Sequence, residues 1–125
     1  MKKMIADYME NGFLENIIAM FRKDKSLYPL IGSLLEDERS RVRIGATALV
    51  ETLSAEAPDY LPAALPGITA CLKNTNPTIR GDAANVLGII RHKDALPFLS
   101  EAADDNNEMV REIVKESIEM IQGPV

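Results

Sequence analysis

The sequence predicts an all-α fold, a right-handed alpha-alpha solenoid of helical hairpins forming one compact domain. Three observations carry this. A β-branched aliphatic residue followed by arginine stands at the head of an amphipathic stretch three times, as Val42-Arg43, Ile79-Arg80 and Val110-Arg111. With these arginines set as position zero, three copies align without gaps, and the spacings between arginines are 37 and 31 residues. Self-similarity at such a period signals stacked helical units that bury their apolar faces against one another. No window alternates cleanly between apolar and polar residues, so no strand is expected.

The elements follow in order. Met4, Ile5, Tyr8 and Met9 stand at helical spacing, Asn11-Gly12 breaks the pattern, and Phe13, Leu14, Ile17, Ile18 and Phe21 form a second apolar stripe. That stripe ends in Arg22-Lys23-Asp24-Lys25, and cations in a last turn complement the helix dipole. Two helices are expected over residues 2–10 and 13–23, with residues 1–25 serving as a cap or a degenerate repeat. Residues 26–125 then carry the three copies, at 26–55, 59–92 and 94–122.

Within each copy a first helix, a short polar turn and a second helix are expected. Pro29, Pro66 and Pro97 share one offset, fourteen residues before the arginine. Ser26 and Asp94 are competent N-caps that place Pro29 and Pro97 in a first turn, where no intrahelical N–H is lost. In the second copy the cap passes to Asp59, which leaves Pro66 inside the helix as a kink. Asn76-Pro77 and Asn107-Glu108 open the second helices of copies two and three. In these helices offsets −1, 3, 7 and 10 trace one face: Val42, Ile79 and Val110; Ala46, Ala83 and Val114; Val50, Leu87 and Ile118; Leu53, Ile90 and Ile121. Gly123-Pro124 ends the last helix.

The runs Leu96-Pro97-Phe98-Leu99, Asp105, Val110-Arg111 and Ile79-Arg80-Gly81-Asp82-Ala83-Ala84-Asn85-Val86-Leu87-Gly88 resemble HEAT repeats, and within them the short class similar to the bilin-lyase HEAT-like repeats. The resemblance covers residues 26–122 and implies an armadillo-like helical solenoid. It also implies a ladder between a turn acid and a helix arginine, which falls here on Asp37, Asn74 and Asp105 with Arg43, Arg80 and Arg111. A cation at the inner edge of a stacked helix can also bond a turn carbonyl on physical grounds alone. Asn74 weakens the middle rung.

Composition narrows the function. Charged residues make up 26% of the 125, and the net charge of −5 opposes binding to nucleic acid or anionic membranes. No apolar run is long enough for a signal peptide or a membrane span, and the lone Cys71 permits no internal disulfide; a cytoplasmic location is expected. Lys23, Lys25, Arg39, Arg41 and Arg43 could form a phosphate-binding patch. Interleaved acids and the lack of aromatic neighbours favour an ordinary solvated surface. The DNA glycosylases built on similar repeats need a basic groove with aromatic contacts, which is lacking. The HEAT-repeat hydroxylases need several His-Glu pairs, and His92 is the only histidine. Cys71 falls on a small core position, where a thiol is buried and inert; a lyase role would need it exposed and acidified. No metal or cofactor is expected.

The expected function is therefore non-catalytic, a protein–protein interaction or scaffold module. The alternative is an enzyme or enzyme subunit resembling bilin lyases, acting on a cofactor-bearing protein. The candidate surface is the concave face of the second helices, the side away from the core, with Thr47 and Glu51, then Ala84, Asn85 and Gly88, then Lys115 and Glu119. Met109, Ile113 and Met120 lie outside the core offsets on the last helix, either as an exposed apolar end suited to a partner or a homodimer, or packed under the C-terminal tail.

Overall fold

The computed structural model describes residues 1–123, and these fold as an all-α solenoid without strands. Helices α1 (Lys2–Glu10) and α2 (Leu14–Lys23) lead into three hairpins. Hairpin 1 pairs α3 (Ile31–Leu35) with α4 (Ser40–Glu56), hairpin 2 pairs α5 (Leu65–Ala70) with α6 (Pro77–Ile90), and hairpin 3 pairs α7 (Leu96–Ala102) with α8 (Glu108–Gln122). The second helices α4, α6 and α8 form one layer, and α1 and α2 both pack on α4. Pro124, expected in the final stop, lies outside the described residues.

The aligned offsets become the core. Val42, Val110, Ala46, Ala83, Val114, Val50 and Leu87 are wholly inaccessible, and Ile79, Leu53 and Ile90 nearly so. In α8 the last two positions, Ile118 and Ile121, are only half-buried, as among the described residues no further helix covers them.

The first helices differ from expectation at their starts. Each opens as a 3-10 turn, at Lys25–Leu30, Pro58–Ala64 and Lys93–Ala95, before becoming α-helical. The capping residue therefore sits two positions upstream of the expected Ser26 and Asp94. Asp24 Oδ1 accepts from the Ser26 N–H at 3.0 Å, and His92 Nδ1 accepts from the Asp94 N–H at 3.1 Å. Pro66 does not kink a long helix. It stands in the first turn of α5, directly after the 3-10 segment, where its missing N–H costs no ladder bond.

Between the helices of each hairpin, one polar residue builds the turn. Asp37, Asn74 and Asp105, all six residues before the arginine, accept through Oδ1 from the N–H two residues on, at 2.9, 2.8 and 2.9 Å. These Asx turns reverse the chain. Asn76 and Asn107 then cap α6 and α8 through bonds to Thr78 N–H and Val110 N–H.

Candidate interaction surface

The open face of the second-helix layer depends on how the hairpins stack. Between hairpins 2 and 3 the stack is close. Ala84 is fully buried beneath α8, and its carbonyl accepts from Ser117 Oγ at 2.6 Å. A methyl on Gly88 would stand 3.1 Å from the Ser117 Cα, inside normal contact distance. The small residues four and eight positions after Arg80 are thus the edge on which the next helix lies. Ala84 and Gly88 are covered and do not belong to the free surface expected for them.

Between hairpins 1 and 2 the same two offsets hold Thr47 and Glu51. Their side chains hold α6 away from α4 and leave a cavity of about 290 Å³, with Ile44, Ala48 and Asn85 among its lining. Arg43 Nε and Asp82 Oδ2 approach to 3.4 Å in its wall. Toward the helix C-termini the opening continues past Ile89 to Met120. Ile44 is 68% exposed and Met120 37% exposed, large apolar side chains at the two ends of this face. Of the expected residues, the structure brings Thr47, Glu51, Asn85 and Met120 to it. Ile44, Asp82 and Ile89 join them and were not anticipated, since only the size of the residues at the stacking edge reveals which way each helix is turned.

The remaining candidates separate. Lys115 and Glu119 occupy on α8 the edge that Ala84 and Gly88 occupy on α6, and both are exposed. Ile113 is half-buried, with its Cδ1 facing Gly81 of α6, so it belongs to the core rather than to an apolar end. Met109 is 53% exposed at the start of α8.

The arginines each grip the turn of their own hairpin. Arg43 Nη1 donates to the Asp37 and Glu38 carbonyls, both at 2.8 Å; Arg80 Nη1 donates to the Asn74 carbonyl at 2.9 Å; Arg111 Nη1 donates to the Asp105 carbonyl at 2.7 Å. Across hairpins, Arg80 holds Asp105 in a two-pronged pair, Nε to Oδ2 at 2.8 Å and Nη2 to Oδ1 at 3.0 Å. Those bonds hold the Asp105 carboxyl below its ordinary value, with burial opposing them. Arg43 finds the neutral Asn74 at the equivalent place and turns to Asp82, whose carboxyl is nonetheless raised because desolvation outweighs Arg43. Asp37 is held by Arg39, which also reaches Asp7 of α1 at 3.0 Å.

These pairings disperse the basic cluster. Arg39 is engaged with Asp37 and Asp7, Arg41 with the Glu10 carbonyl, and Arg43 with the turn carbonyls, while Lys25 bonds the Arg22 carbonyl and lies 4.8 Å over the Tyr60 ring. Cys71 is fully buried on the 3-10 turn that ends the first helix of hairpin 2, with Sγ 3.3 Å from the Gly32 carbonyl and 3.6 Å from Glu36 Oε1. Burial and the neighbouring Glu36 push the thiol up to about 12, so it carries no thiolate at neutral pH. Among the described residues no cluster of His, Cys, Asp and Glu is arranged to hold a metal, and no helix is long and apolar enough to cross a membrane.

Comparison with known proteins gives a family. A family model described as HEAT repeats matches residues 48–119, from within α4 to within α8 and more than half of the chain. No curated protein matches.

Proposed function

The chain belongs to the HEAT repeat family, and on that premise we propose that it is a non-catalytic protein interaction module. Its partner protein would dock on the open face of α4, α6 and α8. The observation that supports this most is the parted seam between α4 and α6. It presents Ile44, Ala48, Ile89 and Met120 as apolar contact area between polar side chains, the composition of a docking patch rather than of a solvated helix surface. Arg43, Arg80 and Arg111, with Asp37, Asn74 and Asp105, are assigned a structural role, since their polar groups are engaged within the stack.

Three finer parts of the reading rest on the sequence pattern. Residues 1–25 act as the N-terminal cap of the stack. The repeats belong to the short class similar to the bilin-lyase HEAT-like repeats. The protein works in the cytoplasm, where a single unpaired cysteine stays reduced. The exposed Met109 and Met120 of α8 offer a second copy of the chain an alternative contact. The lyase-type alternative would require Cys71 as a nucleophile, and its burial argues against that. A water-soluble thiol reagent is expected to leave Cys71 unmodified in the native protein and to react with it in urea; rapid native labelling would revive the enzyme reading.

The test of the docking face is affinity capture from the native cell with the tagged chain and with Ile44→Asp, an exposed position whose change spares the core. Partners held by this face are lost with the variant and kept with the wild type. A partner retained equally by both would move the interface elsewhere, and capture of the chain by itself, abolished by Met109→Asp, would identify the homodimer.

A further inference from the structure

The layer of first helices carries a second groove, opposite the open face of the second helices. Hairpins 1 and 2 close in this layer glycine to glycine: a methyl on Gly32 would overlap the backbone carbonyl group of Gly67. The same two alignment positions one hairpin later hold Thr69 and Phe98. Their bulk parts α5 from α7 and leaves a cavity of about 190 Å³, floored by Leu72 and Ala102 and walled by Phe98. Phe98 is 45% exposed, whereas its counterpart Gly67 lies flat against its neighbour.

The rim is chemically one-sided. Glu101, Asp104 and Asp105 surround the opening and Lys73 is the only cation among its lining. Asp105 is already held by Arg80, and Lys73 reaches Glu101 only at 3.6 Å between two mostly exposed side chains. Such a pair is weak and screened, so it yields readily to an incoming cation. Among the described residues Asp104 forms no ion pair.

We propose that this groove between α5 and α7 receives one aliphatic or aromatic side chain of a partner protein, next to a lysine or arginine in that partner. The cavity has the size of a single leucine or phenylalanine, and the apolar floor gives it a place out of water. Glu101 and Asp104 pair with the adjacent cation and disfavour an acidic neighbour by the same charge. The site is separate from the open face of the second helices, so either surface can fail without the other.

Capped dipeptides test this on the full chain. Acetyl-Leu-Arg-amide is titrated against the isotopically labelled protein, with acetyl-Leu-Glu-amide and acetyl-Ala-Arg-amide as comparisons. Saturable backbone amide shifts are expected at Thr69, Leu72 and Phe98, with a Kd on the order of millimolar for one buried side chain and an exposed ion pair. Acetyl-Leu-Glu-amide binds at least about threefold more weakly, and acetyl-Ala-Arg-amide does not saturate. Phe98→Ala abolishes the shifts, and Asp104→Lys, an exposed change that leaves the core intact, reverses the order of the Arg and Glu peptides. Absence of saturable shifts, equal response to the Arg and Glu peptides, or shifts unchanged in Phe98→Ala would each overturn the proposal.

Discussion

The two seams between consecutive hairpins use the same alignment positions and close on opposite sides. At the first seam the α3/α5 layer is pressed together through Gly32 and Gly67, while α4 and α6 are held apart by Thr47 and Glu51. At the second seam α6 and α8 are pressed together through Ala84, Gly88 and Ser117, while α5 and α7 are held apart by Thr69 and Phe98. The two helices of each hairpin meet the next hairpin in separate layers, so residue size at a few stacking positions decides which layer closes and which opens a groove. The difference teaches that a groove in this stack is made by bulk at a stacking position, on either layer, and not by a feature of one helix.

The most severe way to break that comparison is to give the tight seam the bulk of the open one. Gly88→Leu drives a side chain into the Ser117 backbone, which has nowhere to retreat without moving α8. It is expected to cost about 3 kcal/mol, at the upper end of overpacking. Glu51→Leu, at the same offset on α4, faces an existing cavity and is expected to change stability by less than about 0.5 kcal/mol. Urea denaturation followed by far-ultraviolet circular dichroism measures both. Equal losses would mean that the offset, and not its occupant, sets the packing.

Much of this was legible in the sequence and the rest was not, for identifiable reasons. The core offsets are set by each helix's own periodicity, so Ala46, Ala83, Val50 and Leu87 could be placed from one chain of letters. The free face depends on pairs of residues in different hairpins. Ala84 and Gly88 look like an empty surface from within α6; only against Ser117 do they become a seat for α8. The alignment did contain the clue, because small residues at that edge appear in copy two alone. The caps were misplaced by two residues because 3-10 openings carry no apolar signature of their own.

A sharper probe of the seams is their arginines. Arg80→Ala removes the two-pronged pair with Asp105 together with the Asn74 carbonyl bond, leaving a carboxylate that is mostly shielded from water. A loss of about 2–3 kcal/mol is expected from such charged bonds. Arg43→Ala surrenders its turn carbonyls and only a 3.4 Å approach to Asp82, so it is expected to lose less. Parallel thermal melts of the two variants compare them directly; a larger shift for Arg43→Ala would place the stronger tie at the open seam.

The smallest effect is a difference in sign. Asp105 titrates below its ordinary value of 3.8, chiefly because Arg80 bonds its charged form. Its contribution to stability is therefore fully present above that value and is lost as pH falls through the lowered one. Asp82 titrates above 3.8, chiefly because burial disfavours its charge, so ionising it weakens the fold once pH rises past 3.8, with the full penalty above the raised value. Asp105→Asn is expected to lose about 1–2 kcal/mol at pH 7, with the deficit shrinking as the wild type is acidified below 3.8. Asp82→Asn is expected to match or exceed the wild type at pH 7, and that advantage fades below 3.8, where both proteins are neutral at this position. Urea midpoints between pH 3 and 7 read both curves. If Asp82→Asn lost as much at pH 7 as Asp105→Asn, the Arg43–Asp82 contact would be a full rung, and the open seam would be held by charge as firmly as the closed one.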